Sequence, residues 1–469
     1  MNLVAKITEI NAYINNFVWG PVMLVFIVGV GIYFTFGTKF FQLTKISLWI
    51  KSTLGLLFKK KKASAGSVTP FQAFTTAMAA TAGTGNLVGV ATALFAGGPG
   101  AMVWMWISGF FGMMTKYAEI VLAIKYRERN AQGDWVGGPM YYITKGLGGK
   151  FKWLAILFAA FGALCAFGIG NMTQINSIVG TSETMLRDLG VIAAGDDTLV
   201  FKLVMGIGLA MFVMLVIVGG IKRIGEATEK LVPFIGILNV VGCIIAICMK
   251  SSQLGAAFQS IFQSAFSVKA VGGGILGYTM MRAMRFGIAR GVFTNEAGLG
   301  SAPIAHAAAD TDHPVKQGMW GVFEVFADTL VMCTLTGLVI LTSGAFLGEA
   351  GPNAAELIAA AFRSSFGVFG SVFLAFSVLI FAYCTTLSWS LYGQRCFEYL
   401  FKGKGMRVYQ IVFSLMVFVA AVMKLELAWD IADTLNGLMA IPNLFALVAL
   451  SPVVYKLTKD FFAAKKETD

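Results

Sequence analysis

Charge is scarce in this chain: 13% of its residues are Asp, Glu, Lys or Arg, against 57% that are hydrophobic. Such a ratio excludes an ordinary soluble domain, because the apolar surface exceeds what one water-surrounded interior can hide. Histidine occurs only as His306 and His313, in one polar stretch, too few for a metal centre without help. The six cysteines (Cys165, Cys243, Cys248, Cys333, Cys384, Cys396) lie in or near apolar runs with no metal-type CxxC pair, so they read as packing residues. No G-x-x-x-x-G-K-[ST] loop is present, which argues against ATP as the energy source. The run Gly83 to Gly89 has the wrong spacing for a dinucleotide fingerprint and follows no strand. Without an intramembrane histidine or paired base there is no hydrolase constellation. Catalysis, a cofactor and a nucleotide partner are therefore not expected.

What is abundant is apolar sequence in long runs, each of 18 or more residues and able to cross about 30 Å of hydrocarbon. Eleven spans are predicted, at about 17–37, 70–97, 99–126, 150–181, 198–220, 227–249, 276–307, 317–344, 367–400, 407–424 and 430–456. The first begins near Phe17 and is long enough to span, so it is not expected to be a cleavable leader. The net charge of +12 does not indicate nucleic acid, because the basic residues gather in loops between spans. Lys39 to Lys62 (with the run Lys59-Lys60-Lys61-Lys62), Lys125 to Arg129, Lys145 to Lys152, Lys222-Arg223, Arg395 to Arg407 and Lys456 to Lys466 all fall on one side of eleven spans. The nearly neutral or acidic segments 183–197 and 425–430 fall on the other. Positive residues mark the cytoplasmic face, so the expectation is a multi-pass protein of the cell membrane with its N-terminus outside and its C-terminus in the cytoplasm. Arg282, Arg285 and Arg290 depart from the rule, lying at the outer approach to one span.

Two of the spans are interrupted. Thr81-Ala82-Gly83-Thr84-Gly85-Asn86 sits inside the apolar segment from about Phe71 to Ala96. About 215 positions later Phe293-Thr294-Asn295-Glu296 leads into Gly298-Leu299-Gly300-Ser301. Glycine costs about 1 kcal/mol relative to alanine in a helix, and irregular backbone at membrane depth persists only where it is buried in protein or lines a cavity. Aligning the two breaks brings the following spans into register, five in each half, and an odd number per half forces opposite orientations. The expected fold is all-α: a peripheral first helix plus a 5+5 inverted repeat on the leucine-transporter plan, with two broken helices. The division is 1–69 for the first helix and a basic cytoplasmic connection, 70–250 for one repeat, 251–275 for a polar extracellular connection, 276–456 for the other repeat and 457–469 for a cytoplasmic tail.

Paired breaks of this kind point to a transporter's substrate site. A zwitterion in a low-dielectric site needs donors for its carboxylate and acceptors for its ammonium. The amides of Thr84 and Gly85 are the expected donors, and carbonyls around Phe293, Thr294 and Asn295 the expected acceptors. Asn171 and Gln174, an i, i+3 polar pair in the third core span, are expected to touch the ligand. Phe167, Phe293 and Trp389 would leave room for a small side chain only. Sodium needs five or six hard oxygens and no formal charge. Ala382, Thr385 and Thr386 on one helix, facing carbonyls freed near Ala79 and Ala82, make such a cage. Thr81 and Asn86 either serve a second ion or cap the broken helix. Glu324 and Asp328 form an i, i+4 acidic pair that either meets Lys116 or a neighbouring arginine or relays protons. Glu296, beside the second break, is the stronger functional carboxylate.

The run Gly97-Gly98-Pro99-Gly100-Ala101-Met102-Val103-Trp104-Met105-Trp106, closing with Thr115-Lys116, resembles the signature of the alanine or glycine:cation symporter family. So do the block from Phe293 to Pro303 and Trp389 with Tyr392-Gly393-Gln394-Arg395-Cys396; Val103 departs, standing where that family usually has an aromatic. Gly83 to Asn86 also looks like the Gly-x-Gly-Asn of the neurotransmitter:sodium symporters. The resemblance implies sodium-coupled uptake of alanine or glycine across the lipid bilayer. It implies that Thr84 and Gly85 meet the carboxylate, that Ala79, Ala82, Ala382, Thr385 and Thr386 surround one sodium ion, and that Thr81, Asn86 and Thr294 lie near a second. Two alternatives stay open: proton coupling through Glu296 or through Glu324 and Asp328, and a non-concentrative receptor or channel.

Overall fold

The computed structural model describes residues 3–56, 63–193, 195–267, 280–346, 354–423 and 426–466; the basic run at 59–62 and residues 268–275 of the expected connection lie outside the described residues. Eight described helices are long and apolar enough to cross a bilayer, and nine if a bent pair in the first repeat is one span. Two further elements complete the eleven expected crossings. One is the shorter apolar helix Met406–Val422. The other is the second interrupted helix, whose first half, of 16 described residues with three arginines, falls short in length and apolarity.

The chain opens with α1 (Leu3–Val18) and α2 (Pro21–Gly37). The first interrupted span is α3 (Pro70–Thr81) and α4 (Val88–Gly97). A capping box starts α3: Thr69 Oγ1 accepts from the Gln72 amide at 3.1 Å, Gln72 Oε1 accepts from the Thr69 amide at 3.0 Å, and Pro70 occupies the first turn. The long α5 (Ala101–Tyr126) follows, buried along most of its length, and acts as a central post for its neighbours. Next come α6 (Lys152–Phe167), a π-turn over Gly168–Met172, α7 (Thr173–Asp188), α8 (Leu199–Ile217) and α9 (Gly220–Met249).

The second set repeats that order: α11 (Met280–Asn295) and α12 (Ala302–His306) form the other broken helix. After it come α13 (Pro314–Val325), a π-segment over Phe326–Cys333 and α14 (Thr334–Thr342), then α16 (Val368–Phe401), α17 (Met406–Val422) and α18 (Glu426–Ala449). Both broken helices pack on α5 or on one another, while α6 and α7 pack on α16. Outward faces of α8 and α9 expose Val200, Val204, Met211, Ile237 and Ile244, the apolar surface a bilayer covers.

Three features differ from the sequence reading. Part of the 251–275 connection is helical: α10 (Leu254–Ala265) is amphipathic and packs on α5 and α14. Likewise α15 (Ala354–Phe366) is an amphipathic helix between spans, packing on α4 and α16. Both are short helices with one apolar face, which average hydropathy hides. Finally, His306 is fully buried in α12 instead of lying in a polar loop, whereas His313 caps α13 by accepting from the Val315 amide at 3.2 Å.

Candidate functional site

Between α3 and α4 the helix axis bends by 54°. Asn86 competes with the helix for backbone donors: its Oδ1 accepts from the Gly83 amide at 3.1 Å. That leaves the Thr84 and Gly85 amides without a hydrogen-bond partner among the described residues, at the amino end of α4. Between α11 and α12 the same device recurs with different residues. Asn295 Oδ1 accepts from the Ala297 amide at 2.9 Å, and Glu296, Gly298 and Gly300 take positive φ values of 55°, 93° and 81°. In a continuous helix the amides of Ala297, Gly298 and Leu299 would bond to the carbonyls of Phe293, Thr294 and Asn295. Here they are engaged elsewhere, Gly298 by Glu119 and Leu299 by the Glu296 carbonyl, so those three carbonyls have lost their helical donors.

The two breaks face each other. A β-carbon at Gly85 would lie 3.0 Å from Thr294 Cγ2 and 3.7 Å from Phe293 Cδ1. Thr84 Oγ1 donates to Gln174 Oε1 at 3.1 Å, bringing α7 to the first break. A β-carbon at Gly83 would come within 2.5 Å of Thr385 Oγ1, bringing α16 there as well. Trp389 packs against Gly170, where any β-carbon would collide with it at 2.0 Å. Phe167 packs edge-on against Tyr409 and at a tilt against Phe413. Asn171 Nδ2 donates to the Phe413 carbonyl on α17 at 2.7 Å, so of the expected pair it is Gln174 that hydrogen-bonds to the break.

Of the five oxygen donors expected around one cation, two meet directly: Thr385 Oγ1 donates to the Ala79 carbonyl at 2.8 Å. Thr386 Oγ1 bonds back to the Ala382 carbonyl at 2.9 Å, one turn of the same helix. Ala82 is buried at the end of α3 with its amide on the Met78 carbonyl. Among the described residues no group of three or more His, Cys, Asp or Glu side chains is arranged to hold a metal ion.

The other expected cation residues diverge. Thr81 Oγ1 turns back to the Met78 carbonyl at 3.1 Å. Asn86 Nδ2 instead donates to Asp328 Oδ1 at 2.6 Å, while Thr294 Oγ1 bonds to the Gly291 carbonyl at 2.9 Å. Asp328 is the residue the sequence reading undervalued. Its other oxygen accepts from Thr329 Oγ1 at 2.9 Å, and Thr329 in turn accepts from Asn295 Nδ2 at 3.0 Å. One buried carboxylate thus joins the asparagines of both breaks, with no cationic side chain in ion-pair contact among the described residues. The π-segment over Phe326–Cys333 swings it there. Its companion Glu324 does pair with Lys116, at 3.1 Å.

Glu119 is a site residue that the sequence reading missed. From α5 its Oε1 accepts from the Gly298 and Gly300 amides at 3.0 and 3.1 Å and from Asn443 Nδ2 at 2.6 Å, pinning the second break. Asn443 Oδ1 also accepts from the Tyr142 hydroxyl. A charged residue inside a span was the available signal. Glu296 folds over its own loop and accepts from Ser301 Oγ at 2.6 Å.

Over residues 4–469 the chain matches the model of the sodium:alanine symporter family. It is 46% identical over 459 residues to the sodium/alanine symporter AgcS of Methanococcus maripaludis, with 97% of each chain covered. It is 37% identical over 454 residues to the probable sodium/glutamine symporter GlnT of Bacillus subtilis, covering 96% of this chain and 90% of that one. Among solved structures, MhsT in complex with L-phenylalanine superposes with a TM-score of 0.56 at 12% identity, covering 85% of this chain and 99% of that one. That likeness is one of fold, and the fold is the leucine-transporter-like arrangement with two broken helices.

Proposed function

The chain belongs to the sodium:alanine symporter family, and from that premise we propose that it imports alanine or glycine together with sodium by alternating access around the two breaks. The observation that carries this reading is the meeting of unbonded amides at Thr84 and Gly85 with carbonyls at Phe293, Thr294 and Asn295 that lack helical donors. Carboxylate and ammonium of one small zwitterion fill those two needs at once, with Gln174 bordering the first. Phe293, 3.7 Å from where a β-carbon at Gly85 would stand, supports a small side chain for the substrate in this proposal.

Sodium sits among the Ala79, Ala82 and Ala382 carbonyls and the Thr385 and Thr386 hydroxyls in this proposal, supported by the Thr385–Ala79 contact. A second cation near Asn86 and Thr294 gains a carboxylate ligand from Asp328, while the Thr81 hydroxyl is turned to Met78. The N-terminus faces outside and the C-terminus the cytoplasm, as positive loop residues favour. Each charge moving through 100 mV contributes about 2.3 kcal/mol. With a tenfold change per 1.4 kcal/mol, one sodium ion supports accumulation on the order of a hundredfold once its concentration gradient is added.

A second reading, proton coupling, has one observation in its favour: the buried Asp328 carboxylate has no ion-pair partner among the described residues. Alanine uptake into proteoliposomes distinguishes the two. With an inward sodium gradient, alanine is expected to accumulate above equilibrium, and replacing sodium by potassium abolishes it. Accumulation that tracks an imposed pH gradient instead would transfer the coupling role to Asp328. Equilibration without accumulation under either gradient would leave a passive channel or receptor.

A further inference from the structure

We propose that the cleft between α2 and α11 binds one phospholipid with an anionic headgroup, its phosphate held by Arg282 and Arg285 and an acyl chain lying along the apolar walls.

Loop charge leaves one feature of the chain unexplained. A span entered from the side poor in basic residues is not expected to open with Arg282, Arg285 and Arg290. Two of these arginines meet a cavity. A cleft of about 400 Å³ runs between α2 and α11, with Leu24 and Val25 on one wall and Met284 and Ile288 on the other. Arg282 and Arg285, one turn apart on α11, line it as well. Arg285 is exposed and Arg282 is half-buried. The Arg285 guanidinium donates from Nη2 to Asn16 Oδ1, in the last turn of α1, at 3.1 Å, and it has no ion pair among the described residues.

The margins of the cleft suit lipid and not water. Val22, Val25 and Phe26 on α2 and Met281 on α11 are exposed, and apolar side chains bared on a span are the surface that hydrocarbon covers. Depth fits too. A transporter's breaks lie near the bilayer midplane, and α11 runs into its break at Asn295. At 1.5 Å per residue, Arg285 stands ~15 Å up the helix from that point and Arg282 ~20 Å. Half of a hydrocarbon core is also ~15 Å, so both guanidiniums reach the level of the lipid phosphates. Ile288, only ~10 Å from the break by the same rise, lies among acyl chains.

Charge then selects the occupant. Guanidinium groups take phosphate oxygens through paired hydrogen bonds. Basic residues near a membrane surface favour a headgroup of net negative charge, whereas a zwitterionic headgroup carries a cation of its own. Free phosphate would serve the arginines and leave the apolar walls unfilled. So placed, the lipid bridges α2 to the half-helix that leads to the Phe293, Thr294 and Asn295 carbonyls.

Native mass spectrometry of the delipidated full-length protein in detergent tests this, with phosphatidylglycerol and phosphatidylcholine of matched chains as probes. One phosphatidylglycerol is expected to be retained about tenfold more tightly than phosphatidylcholine, the order that two basic residues at a membrane surface provide. In Arg282→Gln with Arg285→Gln this preference is expected to vanish. In the control pair Lys402→Gln with Arg407→Gln, exposed between α16 and α17, it is expected to persist. Arg285→Gln alone, at an exposed position, is expected to lose part of it and guards against misfolding of the double variant. Equal retention of the two lipids by the parent, or a preference that survives the Arg282 and Arg285 exchanges, would overturn the site. Displacement of the lipid by glycerol phosphate would reveal a site for a free anion, and a dimer that excludes lipid would assign the cleft to a second copy of the chain. Either result overturns the phospholipid assignment. Retention is read without transport, so the outcome is independent of which substrate or ion the protein carries.

Discussion

At the scale of single residues, position in the tertiary structure separates side chains that look equivalent along the chain. Thr385 and Thr386 are neighbours in α16 and both hydroxyls touch a carbonyl of their own helix, Phe381 at 3.0 Å and Ala382 at 2.9 Å, yet of the two it is Thr385 that also reaches across to the Ala79 carbonyl at 2.8 Å. If the cation lies where we propose, Thr385→Val raises the sodium concentration for half-maximal uptake about tenfold, equivalent to about 1.4 kcal/mol. The alanine concentration dependence at saturating sodium is expected to change little. An unaltered sodium dependence in Thr385→Val, in proteoliposomes, would remove this residue from the ion site. Glu324 and Asp328 diverge in the same way: Lys116 compensates the first, while the second accepts from the neutral Asn86 and Thr329.

At the scale of elements, the breaks are made by backbone competition and by glycines that have to be glycine. Gly300 takes a φ of 81°, and a β-carbon there would lie 2.6 Å from Pro139 Cγ. Gly89, one residue inside α4, is helical and would meet nothing nearer than 3.8 Å. Gly300→Ala is therefore expected to lower stability by about 1–2 kcal/mol or more. Gly89→Ala is expected to be neutral or to gain up to about 1 kcal/mol. Thermal unfolding of the two variants in one detergent checks this, and equal melting temperatures would refute the conformational argument. Other elements depart from the plain helical period. Asn171 and Asp328 lie within the π-turns at Gly168–Met172 and Phe326–Cys333, whose wider turns point their side chains off the plain helical period, so Asn171 ends against α17 while Asp328 arrives between the breaks.

At the scale of the whole molecule, basic residues gather at one end. Arg395 pairs with Glu398 at 2.6 Å and with Asp134 at 3.5 Å, and Lys145 pairs with Glu128 at 2.6 Å. With that end in the cytoplasm, a membrane-impermeant maleimide added to intact cells should label Asp197→Cys and spare Lys402→Cys. Both variants carry Cys248→Ser, because Cys248 is the exposed one of the six native cysteines. The reverse pattern would invert the proposed topology. Either way the family's membrane-spanning architecture stands.

The sequence by itself determined whatever depends on composition and local period. Apolar runs set the spans, and paired glycine-bearing interruptions set the two broken helices. The motif from Gly97 to Trp106 and the block from Phe293 to Pro303 marked the family. The approach of Thr84 to Gln174 and of Thr385 to Ala79, and the roles of Glu119 and Asp328, were decided by tertiary structure alone. The reason is physical. A hydroxyl or carboxylate inside a span has to find a partner, but hydropathy is blind to which partner. That choice depends on helix rotation, and a single π-turn or a crossing helix resets it. Residues such as Glu119 and Asn443 come together across 324 positions of sequence, and only packing brings such distant groups within 2.6 Å.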